Sequence, residues 1–166
     1  ASNGLRGWEV GILFQVGDKI VHPMHGAGVV DGIEEKKVNG VMRSYYVLKL
    51  PVGGMMVMVP TENSEEIGMR PVINKDQGDQ VIAAFGTIQV EMDQNWSRRY
   101  RENMTRLKSG DLLEVARVVK GLMLRDEARG LSNGERKMLH AAKQILISEL
   151  VLSQSSSYEE IENRIN

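Results

Sequence analysis

The feature that most constrains this chain is a change of hydrophobic period near residue 70. Before it, short apolar runs alternate with turn residues; after it, apolar residues recur at helical spacing. One architecture accommodates both halves. It is an α+β chain with a small N-terminal Tudor/SH3-like bent β-sheet domain followed by a compact all-helical domain. The expected division is 14–70 for the sheet, 71–153 for the helices and 154–166 for a polar tail, which either adds a short last helix or frays. Residues 1–13, ASNGLRGWEVGIL, lack the basic-then-apolar order of a secretory signal and read as a cloning remnant outside the fold, Trp8 included.

Within the first half, Val16–Val21 starts a strand, and Gly26-Ala27-Gly28 is expected to punctuate before Val29. Asn39-Gly40, between Ile33–Val38 and Val41–Leu48, predicts a tight hairpin, because both residues tolerate the positive φ of a type I′ turn. Pro51–Gly54 marks the next reversal before the methionine-rich strand 55–60. Alternation must turn some of Met55, Met56 and Met58 away from the core. That strand is either a partner surface, for which soft thioethers suit, or an edge covered by the helical half.

In the second half a first helix is expected over about Lys75–Phe85, stopped by Gly86. A second runs over Trp96–Lys108, with Trp96, Tyr100, Met104 and Leu107 as its apolar stripe. Arg98, Arg101, Thr105 and Lys108 fall opposite, with Arg99 and Arg106 on a flank. A third helix carries Leu112, Val115, Ala116, Val119, Leu122 and Met123 and ends at Gly130. Ser132-x-x-Glu135 reads as a capping box before a fourth helix carrying Leu139, Ala142, Ile145, Leu146 and Leu150.

Composition excludes several chemistries. The chain has no cysteine, so disulfides, thiolate metal sites and cysteine nucleophiles are absent. His22 and His25 have no third ligand nearby, so no metal is expected. The acidic pairs 34/35, 65/66 and 159/160 are adjacent in sequence and diverge, and no phosphate-loop or serine-elbow motif occurs. No catalytic residue, cofactor or membrane segment is expected, and a cytoplasmic location follows. The formal charge is -1, but its distribution is uneven. Residues 95–108 carry Arg98, Arg99, Arg101, Arg106 and Lys108 against Glu102 alone, an electropositive helix of the kind that meets phosphates. Trp96 at its first turn has two readings, a core residue or an exposed apolar wedge beside cations.

The ordered set of motifs resembles a known family. FQVGDKIVHP at Phe14–Pro23, His25-Gly26 and Val59-Pro60 look like the first half of the CarD/CdnL bacterial transcription regulators. NWSRRYR at Asn95–Arg101, Ser109-Gly110-Asp111, Arg129–Ser132, Glu135 and Met138-Leu139 look like the second. The resemblance spans about Phe14 to Leu152. It implies a Tudor-like domain that binds the protrusion lobe of the RNA polymerase β subunit by β-augmentation, with Lys36, Met58 and Pro60 at the matching positions. Some members carry arginine where this chain has Met58, which exchanges a charge-assisted contact for an apolar one. It further implies that Trp96 wedges into promoter DNA at the upstream edge of the transcription bubble, with Arg98, Arg99 and Arg101 as DNA-binding residues. Sequence-specific recognition is not implied, and the isolated protein, expected as a monomer, would bind DNA weakly and reach the nucleoid through polymerase. The strand pattern alone also permits a KOW-like RNA-binding or ribosome-associated module.

Overall fold

The computed structural model describes residues 14–51 and 53–166, so the reading of residues 1–13, and of Val52 in the expected reversal, lies outside them. The first half holds strands β1 (Lys19–His22), β2 (Gly26–Val38), β3 (Val41–Lys49), β4 (Met56–Pro60) and β5 (Arg70–Pro71), with a short helix α1 (Ser64–Ile67) before β5. They form one antiparallel sheet in the order β4-β3-β2-β1-β5. Asn39 (φ 51°) and Gly40 (φ 82°) turn the β2–β3 hairpin as their chemistry requires. A shift of register between Val30 and Gly32 bends β2. Ile20, Val30, Tyr46, Leu48 and Val59 fill the inner face, where Phe14 sits edge-on to Tyr46 at 5.7 Å.

Two sequence expectations shift here. The first strand begins at Lys19 rather than Val16, because the Asp18 carboxylate accepts the Gln15 N–H and closes residues 15–18 into a turn. Gly26–Gly28 do not interrupt the chain; they are already paired with β1. The turn lies at 23–25, closed by His22 Nδ1, which accepts the N–H groups of Met24 (3.0 Å) and His25 (3.3 Å).

That role requires a neutral His22, with the Nδ1 lone pair free to accept. It is buried, and burial, then the neighbouring His25, lowers its pKa from 6.5 to about 4. The unfolded chain therefore takes the proton first as pH falls. The stability tied to neutral His22 is complete above about pH 6.5 and is lost progressively down to about pH 4. In denaturant titrations, wild type should lose about 2–3 kcal/mol more than His22→Asn between pH 7 and 4.5, at 1.36 kcal/mol per pKa unit. The Asn amide oxygen can accept the same N–H groups without titrating.

The second half holds helices α2 (Lys75–Thr87), α3 (Trp96–Lys108), α4 (Leu112–Arg129), α5 (Asn133–Gln154) and α6 (Tyr158–Ile165). Each starts at a side-chain cap: Asn74, Asn95, Asp111, Ser132 and Ser157 accept backbone N–H groups within the first turn. Helix α2 continues through Gly86, and its turn there is anchored from outside, since Lys120 Nζ donates to the Phe85 carbonyl at 2.7 Å. The polar-looking end of the chain joins the core: Ile161 and Ile165 of α6 are buried with Leu146 and Leu150. No helix among the described residues is long and apolar enough to cross a membrane.

The two halves are joined by α5. Gly26 (φ 87°) lies so close to it that a Cβ would stand 2.6 Å from Ser148 Oγ and 3.3 Å from the Ile145 Cα. Ser148 Oγ in turn accepts the Ala27 N–H at 2.9 Å. Beside it, fully buried Glu149 takes both terminal nitrogens of Arg70 at 2.6 and 2.7 Å and the Ile73 N–H at 3.0 Å. Arg70 Nε donates to the Gly110 carbonyl at 2.6 Å. One carboxylate thus ties the sheet's last strand to the helical half.

Candidate nucleic-acid interface and sheet edge

Helix α3 starts where Asn95 accepts the Arg98 N–H, with Asp93 in turn accepting the Asn95 N–H at 2.7 Å. This places Trp96 in the first turn, 47% exposed. The indole is nonetheless held. It stacks on Tyr100 one turn on, with ring centroids 5.2 Å apart and planes 20° apart, and its Nε1–H donates to Ser132 Oγ at 3.0 Å. Gly134 lies at the foot of both rings. The core reading of Trp96 is therefore set aside: its anchors are a ring and one hydroxyl, and its outer face is open.

The buried line of α3 is Arg99, Asn103 and Leu107, with Tyr100 and Met104 half-buried beside it, rather than a stripe beginning at Trp96. Arg99 consequently does not join the DNA-binding set. It is 2% exposed; its Nε donates to Glu135 Oε2 at 2.7 Å, Nη2 to Oε1 at 3.3 Å, and Nη1 to the carbonyls of Asp93 and Gln94. Every nitrogen is occupied inside the protein, so none reaches a phosphate. Burial alone would raise the Glu135 carboxyl, but Arg99, by hydrogen bond and charge, and the Ser132 hydroxyl together hold it below the usual carboxylate range. Ser132 accepts the Glu135 N–H as a helix cap and donates to Glu135 Oε1, which leaves it oriented to accept from Trp96. The capping pair legible in the sequence thus has a second role, since through it the buried Arg99–Glu135 pair orients the exposed indole.

Arg98 and Arg101 behave differently. The Arg98 side chain is 71% exposed, with Asp93 only at 3.9 Å, and Arg101 is exposed with no carboxylate paired to it among the described residues. Together with Glu102 and Thr105 they line a shallow depression on the outer face of α3. Arg106 is partly neutralised by Glu114 at 3.5 Å. An exposed, oriented aromatic beside two exposed guanidinium groups, one of them only loosely paired with Asp93, can insert an apolar edge into nucleic acid while the cations hold the backbone.

The second surface is β4. Leu50 N–H bonds the Met55 carbonyl and Thr61 N–H the Ser44 carbonyl, so odd-numbered residues of this segment face β3. Met56 and Met58 therefore direct their N–H and C=O groups to the open edge, and Pro60 presents a position there without a donor. Val57 and Val59 turn inward, while Met56 is exposed and Met58 half-buried on the outer face. Register puts Lys36, opposite Arg43, on the same face as Met58 and Pro60, since Met58 pairs with Val47 and Pro60 with Tyr45. Lys36 stands toward the hairpin tip, away from the two edge residues. The helical half covers only part of the methionine segment: Met55 and Val57 border a groove against Ala141 and Ile145, while the edge itself is uncovered among the described residues.

The His22 and His25 rings lie with centroids 4.6 Å apart and planes tilted by 41°, and among the described residues no group of three metal-ligating side chains converges on them.

Comparison with known proteins divides the chain at nearly the same place as the fold does. Residues 14–73 match the family described as CarD-like/TRCF RID domain, and residues 80–166 match CarD, C-terminal domain. Over 151 residues the chain is 34% identical to YdeB of Bacillus subtilis (strain 168), named as a candidate transcription factor, covering 91% of this chain and 99% of that protein.

Proposed function

The chain belongs to the CarD/CdnL family of transcription regulators, and from that premise we propose that it docks on the protrusion lobe of the RNA polymerase β subunit and stabilises the open promoter complex. In this reading the open edge of β4 adds to a sheet of the polymerase, with Met58 and Lys36 on the contacting face and Pro60 ending the strand. Trp96 enters the minor groove at the upstream edge of the bubble, and Arg98 and Arg101 hold the flanking phosphates. Collapse of the bubble is slowed because the indole occupies space the re-forming stack needs.

The observation that carries this reading is the state of Trp96, half-exposed yet fixed by Tyr100 and Ser132. A large apolar side chain kept in water and held in one orientation loses little further entropy on insertion. The Arg70–Glu149 tie supports the same reading, since a wedge acts at a set position only if its spacing from the docking edge is fixed. Only a few phosphates would be neutralised, each contributing ~0.9 to the salt slope. The protein alone should therefore bind DNA weakly, and polymerase supplies most of the attachment.

Met58→Pro tests the docking half. Proline is tolerated in an edge strand where its missing N–H would face solvent, as the Met58 N–H does. The variant should melt within a few degrees of wild type yet fail to co-purify with polymerase β and fail to prolong open complexes. Undiminished polymerase binding would overturn edge pairing as the docking mode.

A further inference from the structure

Tyr100, which carries Trp96 on its ring, also lines a cavity of about 230 Å³ at the junction of the two halves. Its apolar wall comes from three separate elements: Met24 from the β1–β2 turn, Met104 with Tyr100 from α3, and Met138 from α5. Lys108 and Lys137 stand among its lining residues, both exposed, and among the described residues no aspartate or glutamate does. Its volume falls below the roughly 300–1,000 Å³ typical of sites for drug-sized ligands, which suits a single flat ring system. Thioethers pack well against aromatic rings, and lysines favour an anion at the mouth. An apolar slot with an aromatic wall and a cationic rim, and without acidic side chains, is the arrangement that receives a base from a single strand.

We propose that this cavity receives one unpaired nucleobase from the DNA strand displaced beside Trp96, with an adjoining phosphate on Lys108 or Lys137. The proposal rests on the reading of Trp96 as a wedge at the bubble edge: the wedge opens the stack, and the next ring of the same aromatic pair borders the slot into which the freed base turns. Base selectivity would be weak, because the wall offers π-faces and sulfur rather than a fixed pattern of donors and acceptors.

The test measures lifetimes of competitor-challenged open complexes, as the ratio with and without the protein. Promoters carry a single abasic site at each unpaired position next to the upstream fork in turn. At one position on one strand, removing the base should reduce the lifetime ratio about tenfold, within the range a stacked base contributes. Ala141→Met, which fills the cavity from its exposed rim, should produce the same loss on natural DNA, no further loss on that abasic promoter, and an unchanged melt. Ratios indifferent to every abasic site and to Ala141→Met, while Trp96→Ala still abolishes the effect, would overturn the base site and leave the wedge standing. No effect of Trp96→Ala would overturn both.

Discussion

Arg99→Met should destabilise the protein by about 3–5 kcal/mol, the cost of leaving one member of a buried ion pair without its partner. Glu135 is 2% exposed, and its carboxylate would keep only the Ser132 hydroxyl in place of two guanidinium contacts. Folding stability of a domain is itself about 5–15 kcal/mol, so the loss should be plain in a thermal or denaturant melt. Arg99→Met combined with Glu135→Leu should recover much of it, because two apolar groups need no counter-charge. The recovered protein should still be defective as a regulator, since Ser132 would no longer be oriented toward Trp96 by the carboxylate. Were Arg99 a phosphate contact, the single variant would melt normally and lose only DNA affinity.

Glu149→Ala should have the second-largest effect, about 3 kcal/mol, near the lower end for a broken buried pair because Arg70 can turn partly to water. The Arg70 side chain is 26% exposed, whereas that of Glu149 is fully buried. The Ile73 N–H would lose its acceptor as well. Since this carboxylate links β5 to α5 and, through Arg70, to the turn before α4, the loss should fall on the coupling between the halves. The expected melt is broadened into two steps, followed by circular dichroism for the helices and by amide hydrogen exchange at Tyr46 and Leu48 for the sheet. A single sharp transition at the wild-type temperature would contradict the structural role given to Glu149.

These two carboxylates also mark where the sequence stops being legible. The change of period at residue 70, the Asn39-Gly40 hairpin and the bounds of α3 and α4 depend on local signals, namely turn chemistry, caps and spacing, and these can be read residue by residue. Glu135 and Glu149 follow no local rule. Glu135 looks complete as a capping residue, and Glu149 looks like the polar side of an apolar helix; only the partners, 36 and 79 residues away, bury them. Arg99 escapes sequence reasoning for the same reason. Helical spacing puts it on a flank, and whether a flank faces solvent or a neighbouring helix is decided by packing. Isoleucines in an otherwise polar terminus carry a weak signal for α6: Ile161 and Ile165 stand one turn apart. The exposure of Trp96 stays open at the level of sequence, because one of its anchors, Ser132, lies on a different element.

Under the proposed function, Arg98 and Arg101 are the DNA-facing cations that remain once buried Arg99 is removed from that set. Both extend into solvent, and the cationic face they form owes nothing to the core. Under the same proposal, Met58 belongs to the docking surface, where its backbone N–H and C=O point to the open edge of β4 and its side chain is half-buried on the outer face. The proposal places polymerase docking and nucleic-acid contact on two halves linked by the Arg70–Glu149 pair and the Ser148–Ala27 hydrogen bond, in a chain whose formal charge is only -1.

Everything proposed for the DNA-facing half depends on Trp96 acting as an exposed wedge. The decisive measurement is the lifetime of competitor-challenged polymerase–promoter open complexes with no protein, with wild type and with Trp96→Ala, alongside melts of both proteins. Wild type should prolong the complex, and the variant should melt within a few degrees of wild type. The variant should also lose about tenfold in lifetime, in keeping with the ~1–3 kcal/mol of a stacked aromatic contact. A variant that prolongs the complex as well as wild type does, or one that loses activity only because it unfolds, would contradict the wedge.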